Sequence, residues 1–310
     1  APKNSFKKAL KNHQLQIGFW QSLSSVTTAE ISAQVGFDWL LIDGEHAPNS
    51  VQNIANLLRV IDPSDSNAVV RVVAGVTHDI KQVLDVGAQT ILVPMVETAL
   101  QAQEMVRAVH YPPSGVRGAA SITRAAMYGN TSNYAASAND EICLLVQAES
   151  QTALDNLESI CAVEGVDGVF IGPFDLAASM GFINDPNNEL VQQAIEQAIV
   201  KIISCGKAAG ILMTDEVRAK KYIEMGALFV AVGTDVSTFL NGTTSLLSNY
   251  KNLEKSDKGW ATNLLRAVND IPYLGAVTEL ALGEDIDVTD ALWLIPGLGL
   301  VGGGIKVALS

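Results

Sequence analysis

The sequence predicts an α/β fold, a (β/α)8 TIM barrel with a short C-terminal helical extension. Three observations carry this expectation. Short apolar runs alternate with helical segments about eight times before Tyr250, the pattern of repeated β–α units. The runs are rich in Val, Ile and Leu without polar alternation, as strands buried on both faces should be. The chain after Gly18 reads FWQSLSS, so the Gly-x-Gly-x-x-Gly fingerprint of a doubly wound dinucleotide fold is missing after the first strand.

The predicted strands are 16–20, 39–43, 69–73, 90–94, 142–147, 168–171, 209–213 and 228–232. Predicted helices fill the gaps. One covers 29–35, with Thr27 or Thr28 as its cap, and one covers 51–60 behind Asn49 and Ser50. Further helices cover 97–109, 152–162, 190–205 and 216–225. Gly36, Gly87 and Gly226 each lie between a helix end and the next strand, where a left-handed residue closes the last turn. The long connection 111–141 is rich in Gly, Ser, Asn and Ala, and is expected to be a loop on the active-site face.

The character changes near Leu253. Ser256 and Asp257 are positioned to cap a helix whose apolar face carries Trp260, Leu264, Leu265 and Val268. Residues 267–310 hold six acids and one base. The uncharged run 291–305 holds Pro296 and five glycines, and falls short of the roughly 20 residues that span a bilayer. No membrane segment is therefore expected. The reading divides the chain into a barrel over 1–250 and an appended apolar, Gly-rich extension over 251–310, read as a packing or oligomer-contact element.

Composition excludes several classes of function. Apolar residues at 48% and charged residues at 17% exclude a disordered chain. A net charge of -13 argues against a nucleic-acid partner, which needs a basic face. Cys143, Cys161 and Cys205 are odd in number and form no CxxC pair. Reduced thiols in a cytoplasmic protein are the expectation. The start APKNSFKKALKNHQ has no apolar core of a signal peptide.

In a barrel, catalytic groups sit at the C-terminal ends of strands. Strand two ends in Asp43-Gly44-Glu45-His46, strand three carries Arg71, and strand five ends in Gln147-Ala148-Glu149. Strand six ends in Gly172-Pro173-Phe174-Asp175. Glu149 and Asp175 are a carboxylate pair suited to a hard divalent cation with open positions, and equally suited to capping helices. Arg71 suits an anion or a developing oxyanion, with a structural ion pair as the alternative. His46 offers a base near neutral pH.

The runs GFDWLLIDGEHAPNSVQ (36–52), VVRV (69–72), LDVGAQTILVPMV (84–96), YPPSGVRG (111–118), VQAES (146–150) and VEGVDGVFIGPFDLAASMG (163–181) resemble the motifs of the HpcH/HpaI aldolase family. The resemblance extends from Asn4 to about Tyr250. It implies a metal-dependent class II aldolase that cleaves 4-hydroxy-2-oxo acids, such as 4-hydroxy-2-oxoheptanedioate, to pyruvate and an aldehyde such as succinate semialdehyde. It implies Mg²⁺, Mn²⁺ or Co²⁺ as cofactor. Glu149 and Asp175 match the metal ligands, and Gln147, Gly172, Phe174 and Asp175 match the pyruvate-binding region. Arg71 matches the arginine that binds pyruvate and stabilises the enolate. His46 matches the base, and Asp85 an acid supplied to it by a neighbouring subunit. The family forms hexamers that swap C-terminal helices, here 236–249. Phe174 stands where the family pattern carries Ala, which leaves aldehyde preference open. Two alternatives stay open beside this one: a 2-keto-3-deoxy-sugar-acid aldolase of the same chemistry, and an inactive barrel serving as a scaffold.

Overall fold

The computed structural model of the chain describes residues 1–251, 298–301 and 304–307. Eight parallel strands form a closed barrel in sequence order. They are β1 (Gln16–Gln21), β2 (Trp39–Asp43), β3 (Asn67–Arg71), β4 (Thr90–Val93), β5 (Cys143–Ala148), β6 (Gly168–Ile171), β7 (Ala208–Leu212) and β8 (Phe229–Thr234). Strand β1 pairs with both β2 and β8, which closes the sheet.

Helix α1 (Ser5–Lys11) precedes the barrel. The helices after successive strands are α2 (Val26–Val35), α3 (Val51–Ile61), α4 (Thr77–Asp85) and α5 (Ala99–Val109). Then come α6 (Tyr134–Glu141), the short pair α7 (Gln151–Asp155) and α8 (Leu157–Cys161), α9 (Pro173–Ser179), α10 (Glu189–Ser204), α11 (Glu216–Glu224) and α12 (Asp235–Lys251). The chain divides into two compact units, Ala1–Phe239 and Leu240–Ser310. In the second, β9 (Leu298–Val301) and β10 (Gly304–Val307) form an antiparallel pair. The helix predicted around Trp260 lies outside the described residues. Among the described residues, no helix is long and apolar enough to cross a membrane.

Local chemistry explains the boundaries. Helix α2 starts earlier than predicted because Ser25, not Thr27 or Thr28, is the cap: its hydroxyl accepts from the Thr28 N–H. Ser50, Thr98, Ser150 and Asp215 cap α3, α5, α7 and α11 in the same way. The single helix predicted over 152–162 is broken at Asn156, whose side-chain amide donates to the Glu97 carbonyl at 2.9 Å. Strand β3 ends at Arg71 rather than Val73; the chain turns outward there and leaves Val73 exposed. Helices α1, α4, α6 and α9 were not anticipated. The cap position of α4, Val76, makes no side-chain cap bond, so its start carries no sequence signal.

The long connection is a correction. It follows α5, which has already returned the chain to the N-terminal end of the barrel, so 111–141 is an αβ connection on the face opposite the strand C-termini. There it forms its own small core of Tyr111, Ala125, Ala126, Tyr134 and Ala138.

Two apolar layers sit on either side of the sheet. Outward-facing Leu40, Ile42, Val70, Ile91, Leu144, Val146 and Ile171 pack under the helices. Inside the barrel, Trp39, Leu41, Val69, Leu92, Leu145, Phe170 and Phe229 fill the lumen. Phe6 of α1 plugs the N-terminal end, with its ring 5.9 Å from that of Trp39 and 6.0 Å from that of Phe229. The lumen is thus filled from below and opens at the strand C-termini. Gly18 makes room for this filling, since a Cβ there would stand 2.1 Å from the Trp39 ring. Gly18→Ala is expected to lower stability by about 1–3 kcal/mol through overpacking, measured by urea denaturation.

Candidate active site

The β2–β3 register sets Asp43 opposite Arg71 at the top of the lumen. Arg71 donates from Nε to Asp43 Oδ1 at 2.9 Å and from Nη2 to Asp43 Oδ2 at 2.7 Å. Both side chains are almost wholly buried. Trp20 of β1 donates from Nε1 to Asp43 Oδ2 at 3.1 Å, and its ring lies 4.9 Å from the guanidinium carbon of Arg71. Asp43 Oδ1 also accepts from the Glu45 and His46 N–H groups, which ties the loop after β2 to the strand end. Burial pushes the Asp43 pKa up, but the Arg71 hydrogen bonds and charge, with the other donors, carry it below its ordinary value. Gly44 is required here, because a Cβ would meet the Arg71 carbonyl at 2.5 Å.

Glu45 engages Nη1 of the guanidinium, so among the described residues one N–H on each of Nη1 and Nη2 stays uncommitted. Its Oε2 is 2.9 Å from Arg71 Nη1 and 3.8 Å from His46 Nε2. Burial raises the Glu45 pKa, with Asp43 and Asp175 adding to the rise against the pull of Arg71 and His46.

Across the mouth, β5 delivers Gln147 and Glu149. Glu149 Oε1 accepts from the Met95 N–H at 2.8 Å, and its Oε2 accepts from the Gln147 amide. Met95 adopts a left-handed conformation (φ 54°) that aims this N–H at the carboxylate. Gly172 is backed onto the same groups: a Cβ there would stand 2.3 Å from Glu149 Oε2. Burial raises the Glu149 pKa to about 7; the charges of Asp175 and Glu45 add to the rise, while the Met95 N–H and Arg71 oppose it. Gln147 Oε1 is buried with no hydrogen-bond partner.

A cavity of about 380 Å³ opens between these two sides. Trp20, Phe170 and Leu212 form its apolar wall, and Arg71, Gln147, His46 and Asp175 its polar one. Phe174 stands at its rim, 59% exposed. Of the residues singled out from sequence, His46, Arg71, Gln147, Gly172, Phe174 and Asp175 line this one cavity, and Glu149 lies directly behind Gly172 and Gln147. Asp85 does not join them within the chain. It ends α4 at the opposite end of the barrel and pairs with Arg117 at 3.1 Å. Sequence reasoning assigned no role to Trp20, Asp43, Glu45, Met95 or Leu212. The strand-end position of Asp43 was a usable signal; the contribution of Met95 comes from its backbone and leaves none.

An open cavity at the C-terminal mouth of a barrel, lined by a guanidinium, an amide and a carboxylate with a second carboxylate behind it, is where barrel enzymes bind small polar substrates. The chain belongs to the HpcH/HpaI aldolase/citrate lyase family, whose sequence profile matches residues 16–242. It is 51% identical over 252 residues to the hydroxypyruvate/pyruvate aldolase of Agrobacterium fabrum, covering 81% of this chain and 95% of that protein. It is 52% identical over 248 residues to a 4-hydroxy-2-oxo-heptane-1,7-dioate aldolase of Escherichia coli, covering 80% of this chain and 95% of that protein. The crystal structure of a family member from Burkholderia cenocepacia superposes with a TM-score of 0.78 at 38% identity, covering 80% of this chain and 100% of that one. The protein is accordingly an aldolase, a carbon–carbon lyase acting on small molecules.

The raised Glu149 pKa has a consequence for stability. The folded state keeps the carboxyl protonated up to about pH 7, whereas the unfolded chain releases the proton near 4.5. The folded state therefore loses stability as pH rises through this window, by up to about 3 kcal/mol. Metal-free Glu149→Gln should match the metal-free parent in denaturation midpoint near pH 4 and exceed it increasingly from pH 5 to 8. A pH-independent difference would contradict this.

Proposed function

We propose that the protein cleaves 4-hydroxy-2-oxo acids reversibly to pyruvate and an aldehyde through a pyruvate enolate. The observation that carries this reading is Arg71, locked by Asp43 and presented to a cavity that Asp175 lines and that Glu149 backs from behind Gly172. The arrangement offers a fixed positive group for an enolate oxygen and an uncompensated carboxylate pair for a cation.

The residues fit a hard divalent cation. Glu149 is a buried carboxylate without a cationic partner, and the charge of Asp175 raises its pKa further. Among the described residues no cluster of three or more His, Cys, Asp or Glu side chains suits a metal. Two carboxylates alone leave positions open for water and substrate, which suits Mg²⁺, Mn²⁺ or Co²⁺. When bound, such an ion supplies Lewis acidity toward the 2-oxo group. Gln147, Gly172 and the start of α9 shape the pocket for the 2-oxo acid end. His46 accepts the 4-hydroxyl proton as the C3–C4 bond breaks, and the bonding pair passes into the enolate. The N–H groups of Arg71 stabilise the charge that develops on the enolate oxygen. Trp20, Phe170 and Leu212 exclude water from the enolate. Reprotonation at C3 completes pyruvate. The substrates are 4-hydroxy-2-oxoheptanedioate, yielding succinate semialdehyde, or a 2-keto-3-deoxy sugar acid.

The same reading includes assembly as a homo-hexamer in a cytoplasmic setting, with Asp85 reaching the His46 of a neighbouring copy and α12 exchanged between copies. The exposed Leu240, Leu246 and Leu247 on α12 support it.

Chelation by EDTA should abolish pyruvate release, and Mg²⁺, Mn²⁺ or Co²⁺ should restore it; activity surviving rigorous metal removal would overturn the reading. Arg71→Ala should lower kcat by about 10²–10³ with the metal affinity retained, measured by steady-state kinetics and calorimetry.

A further inference from the structure

Two of the three cysteines meet although they lie far apart in the chain. Helices α8 and α10 pack side by side. Lys201 of α10 donates from Nζ to Glu158 Oε2 of α8 at 2.9 Å. One turn further along the same face of each helix come Cys161, the last residue of α8, and Cys205, the residue that caps α10. Just beyond them, Lys207 donates from Nζ to the Val166 carbonyl at 2.7 Å and to the Val163 carbonyl at 3.4 Å. The cysteines therefore sit between two tethers that join the same two segments, and their thiols share a hydrogen bond.

The two sulfurs differ in access. Cys161 is wholly buried in the apolar layer beneath the helices, and Cys205 is half-buried against that layer. Gly206, the next residue, turns the chain in a left-handed conformation (φ 75°), and a Cβ there would meet nothing within 4 Å among the described residues, so the chain beside Cys205 is open. Burial, with the charge and hydrogen bonding of Cys205, pushes the Cys161 pKa up to about 12 against the pull of Lys207 and Lys201. Cys161 stays a thiol, and Cys205 is the sulfur that a small oxidant reaches first. The third cysteine, Cys143, is sealed among the side chains that fill the lumen.

We propose that Cys161 and Cys205 form a redox-modification site, a dithiol that hydroperoxides oxidise to a disulfide within the chain and that small thiols reduce again. The Cys205 sulfur, as its thiolate, attacks the peroxide; the O–O bond breaks, one oxygen leaves as water or an alcohol, and Cys205 becomes a sulfenic acid. The Cys161 sulfur then attacks the Cys205 sulfur. The S–O bond breaks, and the departing hydroxide takes the Cys161 proton and leaves as water. Two thiols are oxidised by two electrons, and one peroxide is reduced. Two molecules of a small thiol reverse the change by exchange, and leave as their own disulfide. The disulfide ties α8 to α10 and closes a loop that contains β6, α9 and Asp175. Cys161 and Cys205 share no sequence motif, so only the packing of α8 on α10 reveals the pair.

The test treats the folded, full-length protein with hydrogen peroxide, blocks free thiols with an alkylating reagent under denaturing conditions, and reads the products by mass spectrometry and peptide mapping. The parent chain should lose about 2 Da and two of its three alkylatable thiols, with one linked peptide pair joining Cys161 to Cys205 and Cys143 still reduced. Dithiothreitol should restore all three. Cys205→Ser, at a half-buried helix end, should form no linkage and leave Cys161 reduced. Cys161→Ala should leave Cys205 as a sulfenic acid that dimedone traps. The exposed Met127 gauges how far the peroxide has acted. Both thiols still reduced once Met127 is a sulfoxide would overturn the proposal. So would conversion of Cys205 in the parent to a sulfinic acid, or linkage of Cys205 to another chain, in place of the Cys161–Cys205 pair.

Discussion

The site is organised by one ion pair. Asp43 and Arg71 face each other across adjacent strands, both pointing into the lumen, and meet through two hydrogen bonds. Both side chains are almost wholly buried, so each charge depends on the other; removing one partner of such a pair costs about 3–5 kcal/mol. The pair also fixes its surroundings. Trp20 donates to Asp43, the backbone of Glu45 and His46 hangs from the same carboxylate, and Glu45 pairs with Nη1 of Arg71. A guanidinium held on this many sides has little freedom left to lose when substrate arrives, which is the physical meaning of preorganisation at this site.

The opposite side of the mouth works by leaving charge uncompensated. Glu149 receives a backbone N–H and a side-chain amide but no cation, and burial holds its pKa near 7. The barrel sustains this cost because the rest of the lumen is closely filled. Phe6, Trp39, Phe170 and Phe229 pack in tilted and edge-on contacts up the lumen from the N-terminal end, so the polar groups gather at the open C-terminal end of the lumen. Stability is concentrated below, and chemical reactivity above.

Much of the fold was legible because barrel strands are buried on both faces and therefore read as continuous apolar runs. The less legible parts share a cause. Helix α4 lacks a capping side chain, and α1 and α6 are short. The long connection carried a composition typical of active-site loops, but its face is decided by the helix before it. Because α5 had already crossed back, the connection lies at the barrel's closed end, where Arg117 stacks 4.3 Å from the Tyr111 ring and pairs with Asp85.

The alternation of strands and helices, the family motifs and the polar residues at strand ends follow from local periodicity and the order of residues along the chain. Tertiary structure alone decided which of those polar residues meet. Closure of the sheet sets β2 and β3 across one lumen from β5 and β6, and the register sets Asp43 level with Arg71. It also decided that Glu45 reaches Arg71 and that the Met95 backbone serves Glu149. Such juxtapositions depend on contacts between residues distant along the chain, and on backbone conformation that the identity of a side chain does not encode.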